Sequence, residues 1–282
     1  MIKILLAGTP NFSVPIFEKI INNFHVVGIV TQPDSRSGRG MKLISSPVKD
    51  LAIKYGIKLF QQDNISNIFD ELKLINFDIF LTAAFGQLVP DNILSLAKIG
   101  SINIHCSLLP KYRGAAPIQH SILNGDKETG ISLIYMINKM DAGDIIFTKI
   151  VKIDDDDSSD TLFKKMSIIS SKEICNWLEL FYNQKFNVRK QNIDDVTFAS
   201  KLVKKNALLI KDSSRNMINK IRAYNSNPGA YLFINEKRVK IFNAITIENK
   251  NYLKIETLDG FIYSSKYQFE GKKIVDIGTQ ND

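Results

Sequence analysis

Cysteine is scarce in this chain of 282 residues, which contains only Cys106 and Cys175, far apart in sequence. Two distant thiols cannot form the disulfide framework of a small secreted domain, so we expect a reducing, cytoplasmic compartment. Long hydrophobic runs are also missing, which argues against a membrane span and a membrane partner. The first residues enter a strand pattern directly, without the pattern of a signal peptide.

Two motifs of cofactor enzymes are missing as well. The turn after the first predicted strand, Gly8-Thr-Pro-Asn-Phe12, lacks the Gly-x-Gly-x-x-Gly fingerprint, which argues against a dinucleotide. The three histidines, His25, His105 and His120, fall in separate predicted elements without the spacing of metal ligands. We therefore expect no metal.

The remaining composition is that of a soluble globular protein with unevenly distributed charge. Hydrophobic residues make up 44% of the chain and the mean hydropathy is -0.06, which suits one large or two modest domains. Residues 201–282 contain 15 Lys and Arg against 8 Asp and Glu, whereas residues 1–200 contain 22 and 21. This surplus indicates a polyanionic partner for the C-terminal part, and ordinary lysine-rich solubility is the alternative.

Strand-like runs alternate with helical patterns up to about residue 182. Strands are predicted at 2–7, 25–31, 57–60, 77–82, 101–105 and 130–137, and helices near residue 14 (capped by Ser13), at 48–55, at 65–75, from 117 and at 161–182. This order predicts an α/β fold, with a mostly parallel sheet and helices on both faces. Residues 32–47 are predicted to form a long polar loop.

The pattern changes after residue 207. One helix is predicted at 215–224, and short alternating strands follow at 231–234, 239–245, 252–258 and 261–263, which indicates a small antiparallel barrel or meander. We therefore predict a first domain at residues 1–188, a linker at 189–206 and a C-terminal β domain at 207–282.

The predicted strand at residues 101–105 carries a pair of polar side chains. Because side chains alternate along a strand, Asn103 and His105 point to the same face. An amide, an imidazole and the carboxylate of Asp141 are the groups needed to stabilise an oxyanion, move a proton and orient the base. The residues alone are equally compatible with an edge strand that ends in polar side chains. Cys106 follows His105 and faces the opposite way, so we expect a buried bystander.

Several motifs together resemble the folate-dependent formyltransferase family, over nearly the whole chain. They are Asn103-Ile-His105, Ser107-Leu-Leu-Pro110, Tyr112-Arg-Gly-Ala-Ala-Pro-Ile118, Asp141-Ala-Gly-Asp144, Ala7-Gly-Thr-Pro10 and, towards the C-terminus, Phe198-Ala-Ser-Lys201 and Ile221-Arg-Ala-Tyr224. The first two are typical of the whole family. The run from Tyr112 and the basic Gly38-Arg-Gly40 loop favour the branch that acts on methionyl-tRNA.

The resemblance implies a Rossmann-like catalytic domain and a C-terminal OB-like barrel that helps to bind tRNA. It implies metal-free transfer of a formyl group from 10-formyltetrahydrofolate to the α-amine of methionyl initiator tRNA, for translation initiation. In this reaction Asn103 would stabilise the oxyanion, His105 would shuttle the proton and Asp141 would orient His105 or an ordered water.

The resemblance also assigns binding residues. The folate site would be formed by two segments, which comprise Ser107, Leu108, Leu109 and Pro110, and Phe85, Gly86, Gln87 and Leu88. The basic loop residues Arg36, Arg39 and Lys42 would contact the acceptor arm of the tRNA, although a solvated surface loop is the simpler alternative. A monomer is expected.

Other functions remain compatible with parts of this pattern. A formyltransferase with the same chemistry could act on a glycinamide nucleotide or, with the same catalytic set, on an amino-sugar nucleotide. A non-catalytic RNA-binding protein with a decayed α/β domain belongs to a different class, and the complete Asn103, His105 and Asp141 set argues against it. The short C-terminal domain, and Asn227 in place of an aromatic residue before Pro228-Gly229, bear on tRNA affinity rather than on chemistry.

Overall fold

The structure is a computed structural model that describes residues 2–37, 41–225 and 227–278. It divides into two compact units. The first contains the described residues up to Ala115 together with Gly130–Val151 and Lys164–Phe198, and the second contains Ala116–Thr129, Lys152–Phe163 and the described residues from Ala199 onward. The boundaries of the three predicted segments, at residues 188 and 206, stay a prediction.

A seven-stranded sheet organises the first unit. In chain order the strands up to residue 152 are β1 (Lys3–Gly8), β2 (His25–Thr31), β3 (Ser35–Ser37), β4 (Lys42–Ile44), β5 (Leu59–Gln61), β6 (Ile79–Ala83), β7 (Gly100–His105), β8 (Glu128–Tyr135) and β9 (Ile145–Lys152). The sheet has the order β5-β2-β1-β6-β7-β8-β9, and β3 pairs only with β4 in a separate hairpin. The first five strands of that order are parallel, whereas β8 runs antiparallel to β7.

Seven α-helices accompany the strands in the described part of the chain. They are α1 (Ser13–Ile21), α2 (Pro47–Lys54), α3 (Phe69–Lys73), α4 (Asp91–Leu94), α5 (Pro117–Leu123), α6 (Ser159–Tyr182) and α7 (Ser214–Tyr224). Sequence explains the start of α2, where Ser46 accepts a hydrogen bond from the Lys49 amide and Pro47 fills the first turn. The predicted cap of α1 is wrong, because Ser13 is the first helical residue and donates instead to the Ala83 carbonyl.

The central strands of this sheet are almost completely buried, as expected for parallel strands covered by helices. Leu5 of β1, Val30 of β2 and Phe80 of β6 belong to one hydrophobic cluster. Gly8 ends β1 at a point of very close packing, because a Cβ there would lie 2.8 Å from the Ala83 carbonyl oxygen. The sheet can therefore bring the ends of β1 and β6 together only with glycine at this position.

The order of the strands indicates a crevice at the carboxyl ends of the central strands. Strands β2 and β6 lie on opposite sides of β1, so the direction of winding changes between β1 and β6. Ligands of open α/β sheets bind outside the carboxyl ends of the strands at such a point. Here Gly8, Ala83 and His105 end three parallel strands, so the loops that follow them leave the sheet on the side of this crevice.

Three local sequence predictions need correction. Strand β9 lacks a strand pattern in the sequence, because its residues Thr148, Lys149 and Ile150 are all exposed and the strand lies at the edge of the sheet. The predicted loop 32–47 contains the β3–β4 hairpin. The predicted helix 65–75 is a 3-10 turn, Ile65–Ile68, followed by the short helix α3.

The second unit contains α5, α7 and the antiparallel strands of the C-terminal part. These strands are β10 (Tyr231–Ile234), β11 (Lys237–Ile241), β12 (Leu253–Glu256), β13 (Phe261–Ser264), β14 (Lys266–Phe269) and β15 (Val275–Asp276). They form a four-stranded sheet, β10-β11-β14-β15, and the pair β12-β13. The predicted fold class, a mostly parallel α/β sheet with helices plus a small C-terminal β domain, is confirmed. No helix in the described ranges combines the length and hydropathy required to cross a membrane.

Helix α7 is fastened within the second unit by Arg222. Its guanidinium donates to the carbonyl oxygens of Asp157 (2.6 Å) and Asp154 (2.6 Å). Burial lowers the pKa of Arg222, and the charges of Asp155, Asp157 and Asp156 oppose that effect. The acidic run 154–157 therefore has a structural role, because two of its backbone carbonyls bind Arg222 of α7.

Candidate active site

His105 ends β7, where it is buried between two hydrogen-bonding groups. Its Nε2 lies 2.9 Å from the carbonyl oxygen of Tyr112, and its Nδ1 lies 3.5 Å from Oδ1 of Asp141. A carbonyl oxygen only accepts, so Nε2 carries a hydrogen and donates it to Tyr112. The second ring nitrogen, Nδ1, is therefore the atom that can gain and lose a proton, and a carboxylate faces it.

Asn103 lies two residues earlier on the same strand. Its Oδ1 accepts a hydrogen bond of 2.7 Å from the hydroxyl of Thr82, the residue directly opposite in the β6–β7 pairing. Since the oxygen is engaged, the amide nitrogen Nδ2 is left to point towards Asp141, at 3.5 Å from Oδ1. The amide thus has one fixed orientation, with its donor side directed at the carboxylate.

Asp141 is the residue that the other two share. Its Oδ1 lies 3.5 Å from both Asn103 Nδ2 and His105 Nδ1, and its Oδ2 accepts a hydrogen bond of 2.9 Å from the Gly114 amide. Gly143 fixes the turn that carries it, because a Cβ there would lie 1.8 Å from the Tyr135 carbonyl oxygen. The structure therefore brings the three predicted catalytic residues together around one carboxylate oxygen, although their roles stay predictions.

The predicted folate segment 107–110 follows the same strand. Ser107 is fully buried and donates to the Lys111 carbonyl at 2.6 Å. Leu109 packs in a small cluster with Ile134 and Ile145, and a cis peptide bond joins it to Pro110. Leu108 and Pro110 are only partly buried. Ser107 and Leu109 are therefore held inside the protein, whereas Leu108 and Pro110 keep some accessible surface.

The other predicted folate segment, residues 85–88, follows β6. Phe85 is buried in the core cluster, and its carbonyl accepts from the Thr9 hydroxyl at 3.0 Å. Gly86 adopts a φ of 84°, which favours glycine. The Gln87 side chain bonds to the backbone of the neighbouring 62–65 segment, and Leu88 is exposed. The backbone of this segment is thus fixed against the segments that follow β1 and β5.

A cavity of about 480 Å³ opens near the ends of β1 and β2. Its walls combine proline rings with hydroxyl, amide and carboxyl side chains: Thr9, Pro10, Gln32, Pro33, Asp34, Ser35, Ile44, Ser45, Ser46, Pro47 and Asp63. Gln32 also donates to the Phe85 carbonyl at 3.3 Å, which connects this cavity with the 85–88 segment. A hydrogen bond from Gln61 and an ion pair with Lys49 hold the pKa of Asp34 below its usual value.

Only part of the predicted tRNA-binding loop belongs to the described residues. Arg36 is exposed on β3, opposite Leu43 in the hairpin. Arg39 lies outside the described residues, and so does the side chain of Lys42, whose backbone belongs to β4. The RNA-binding role of all three stays a prediction.

Cys106 is buried next to His105. Burial and the nearby charge of Asp141 raise the pKa of its thiol far above the ordinary value. A protonated thiol is a poor nucleophile, in agreement with the expected bystander. Among residues 2–37, 41–225 and 227–278, no group of three or more His, Cys, Asp or Glu is placed to hold a metal ion, and the metal-free reaction stays a prediction.

Sequence reasoning missed the residues that hold this set in place. Thr82 and Gln191 both contribute hydrogen bonds to it, and both reach the site through long-range packing. Thr82 sits inside an otherwise apolar strand, which is a weak signal for a polar role. Gln191 sits in a polar segment that resembles a linker, and nothing in its neighbourhood marks it.

Comparison with known proteins identifies the family of the chain. The family described as formyl transferase matches residues 2–176, and the family described as formyl transferase, C-terminal domain, matches residues 203–280. A sugar 3N-formyl transferase, WlaRD, crystallised in the presence of dTDP and 5-N-formyl-THF, has a similar structure. It has a TM-score of 0.72 and 26% identity, over 97% of this chain and 99% of that one. The fold and the two family matches define a formyl transferase enzyme.

Sequence relatives define the branch. The methionyl-tRNA formyltransferase of Mycoplasmopsis pulmonis is 54% identical, over 97% of this chain and 95% of the relative. The methionyl-tRNA formyltransferase of Malacoplasma penetrans is 41% identical, over 96% of this chain and 90% of the relative. The chain belongs to the methionyl-tRNA formyltransferase family.

Proposed function

We propose that this enzyme transfers the formyl group of 10-formyltetrahydrofolate to the α-amine of methionyl initiator tRNA, for translation initiation. The names of its relatives support the acceptor, and the formylated folate of the WlaRD crystals supports the donor. The observation that carries the chemistry is the convergence of Asn103 and His105 on Asp141 at the carboxyl end of β7.

Asn103 supplies the oxyanion donor in this proposal. The α-amine attacks the formyl carbon, a carbon–nitrogen bond forms, and negative charge develops on the formyl oxygen. A hydrogen bond from Nδ2 strengthens as that charge grows, so it stabilises the transition state more than the ground state. The Thr82 hydroxyl supports this role because it binds the amide oxygen at 2.7 Å, so Nδ2 remains the donor side of the amide.

His105 moves the proton at Nδ1. The attacking amine must lose a proton, and the N10 nitrogen of the folate must gain one when the old carbon–nitrogen bond breaks. Nε2 keeps its hydrogen on the Tyr112 carbonyl, so Nδ1 accepts and then returns the travelling proton. Asp141, whose Oδ1 lies 3.5 Å from Nδ1, orients the ring or an ordered water beside it.

The first family region contains both folate segments and the basic loop, and the second contains the β domain that we expect to bind tRNA. Residues 107–110 and 85–88 line the folate site, and the second segment encloses the pterin ring. Arg36, with Arg39 and Lys42, contacts the acceptor arm of the tRNA. We assign the catalytic domain to residues 1–188, the linker to 189–206 and the tRNA-binding β domain to 207–282, and we propose a cytoplasmic monomer.

An amino-sugar nucleotide is the second candidate acceptor, because the structurally similar WlaRD is a sugar 3N-formyl transferase. The deciding experiment offers 10-formyltetrahydrofolate with methionyl initiator tRNA, methionyl elongator tRNA, free methionine or a dTDP-amino sugar. We expect product with the initiator alone. Product with the amino sugar and none with tRNA would transfer the assignment to the sugar branch.

A further inference from the structure

Two residues with unusual backbone conformation enclose the His105 ring. Tyr112, whose carbonyl holds Nε2, has a φ of 64°, and Asp141, whose carboxylate faces Nδ1, has a φ of 50°. Residues other than glycine rarely adopt the left-handed region, and they remain there only when the surroundings hold them. Both partners of the imidazole are therefore placed by strained turns, and some part of the fold must hold both turns in place.

Gln191 makes hydrogen bonds to both of these turns. Its Nε2 donates to the carbonyl oxygens of Asp141 (2.8 Å) and Gly143 (2.7 Å), on the turn that carries the carboxylate. Its Oε1 accepts from Nε of Arg113 (2.9 Å), which follows Tyr112. One amide side chain thus connects the segment on the Nε2 side of His105 with the segment on the Nδ1 side.

The residues around Gln191 add to the same connection. The Tyr112 amide donates to the Thr197 hydroxyl (2.9 Å), and the Arg113 amide donates to the Thr197 carbonyl (2.9 Å). On the other side, the backbones of Arg189 and Ile145 exchange hydrogen bonds of 2.8 and 2.9 Å. Residues 189–197 therefore contact both turns beside the site, and Gln191 is the side chain in this segment that bonds to both.

We propose that Gln191 is a positioning residue, which sets the distance between Asp141 and His105 by holding the two turns against each other. The inference rests on the roles proposed above for His105 and Asp141. An amide is the side chain that fits, because it offers two donor hydrogens to the carbonyls and one acceptor to the guanidinium. A carboxylate could keep the bond to Arg113 but would face two carbonyl oxygens without a donor.

The test replaces Gln191 by methionine, which has a similar length and neither donates nor accepts strongly. We expect kcat for formyl transfer to fall about 10- to 100-fold, because small displacements of reacting groups are costly. The KM values for folate and tRNA should change less than about twofold, since no substrate contact is lost. Gln184→Met, at an exposed glutamine just after α6, is the matched control and should retain native kcat.

A spectroscopic measurement separates positioning from a general structural role. The chain has three histidines, so the 15N signals of the His105 ring can be compared with those of His25 and His120 as internal references. In the native protein we expect Nε2 of neutral His105 to carry the hydrogen. In Gln191→Met we expect its two ring signals to move towards a mixture of both tautomers, while the signals of His25 and His120 stay in place.

Gln191→Glu keeps the inference testable if Gln191→Met does not fold, because it retains the bond to Arg113. It lacks the two donor hydrogens, so it should lose kcat to a similar extent. Native kcat and native ring signals in either folded variant would overturn the inference, and so would failure of both variants to fold. His105→Ala is measured in parallel: if it stays active, the proposed chemistry fails, whatever the Gln191 variants show.

Discussion

At the carboxyl ends of β6 and β7, polar side chains contact one another, whereas in the small β domain several cations contact aromatic rings. At the end of β7, Asn103 and His105 each have a hydrogen-bond partner at 2.7–2.9 Å, and both face the carboxylate of Asp141. In the β domain, cations lie on aromatic faces: Arg238 lies 3.9 Å from the ring centroid of Tyr231, and Lys254 lies 3.9 Å from that of Phe261.

This difference corresponds to the two tasks that we propose. Acyl transfer depends on groups fixed to within a fraction of an ångström, so each polar atom of the candidate active site needs a partner that holds it. Binding of a polyanion depends mainly on charge and stacking, which tolerate variation in position. The excess of Lys and Arg over Asp and Glu in residues 201–282, 15 against 8, is what we expect for the second proposed task.

The largest effect should follow from removing the imidazole. His105→Ala should lower kcat by roughly 10²- to 10⁴-fold, because the proton then has no carrier, and should leave tRNA binding unchanged. Steady-state kinetics and a filter-binding assay measure the two effects. His25→Ala, at an exposed histidine at the start of β2, is the matched control and should remain fully active. Equal turnover by the two variants would remove His105 from the mechanism.

A smaller effect should follow from loosening Asn103. Thr82→Val keeps the shape of the side chain but removes the hydroxyl that holds the amide oxygen. We expect single-turnover formyl transfer to slow about tenfold, which corresponds to ~1.4 kcal/mol, with little change in folate affinity.

The matched control for that variant is Thr129→Val on β8. It also removes a buried hydroxyl, but one with no hydrogen-bond partner within the described part of the chain. The control should keep the native transfer rate. If both valine variants transfer the formyl group equally fast, the Thr82 hydroxyl does not orient the catalytic amide.

A change of binding alone should follow from reversing a charge on the β3–β4 hairpin. Arg36→Glu should raise KM for tRNA several-fold and reduce the slope of log K against log salt by about 1, as expected for one lost phosphate contact. KM for the folate should stay the same. Lys98→Glu is the control, because this exposed lysine precedes β7 at the opposite end of the strand. A selective effect on folate would show that the hairpin has been wrongly assigned.

The smallest effect concerns stability of the second unit. Hydrogen bonds from the backbone and side chain of Ser214, and from Thr257, lower the pKa of Asp259 below its usual value. A depressed pKa means that Asp259 stabilises the fold above the unfolded-state pKa of about 4, and that this contribution is lost as the pH falls through the folded-state pKa.

Thermal unfolding at neutral and acid pH checks that expectation. Asp259→Asn should lower Tm slightly at pH 7 and should reduce the further loss of Tm on acidification below about pH 4. Glu248→Gln, at an exposed position of the same unit, is the control and should follow the native curve. An Asp259→Asn curve parallel to the native one at every pH would contradict the role of these hydrogen bonds.

Local patterns were sufficient to predict much of the candidate site. The alternation of side chains along a strand places Asn103 and His105 on one face, and the structure has both beside Asp141. The alternating order of strands and helices predicted the parallel sheet, which the structure confirms.

The parts that could not be predicted depend on contacts between distant segments. Thr82 faces Asn103 only because of the β6–β7 register, and Gln191 reaches Asp141 across 50 residues of sequence. The positive φ at Tyr112 is likewise imposed by packing, since a tyrosine does not indicate it, whereas aspartate is among the residue types that tolerate a positive φ. Sequence patterns report local periodicity, whereas these features arise from tertiary pairing.

The most direct test is the single-turnover rate of formylation of methionyl initiator tRNA by the native protein and by Asp141→Asn. The carboxylate is the group on which both Asn103 and His105 converge. We predict that the native protein forms formylmethionyl-tRNA and that the folded variant is slower by about 100-fold or more. Absence of product with the native protein, or equal rates for the two proteins, would contradict the account.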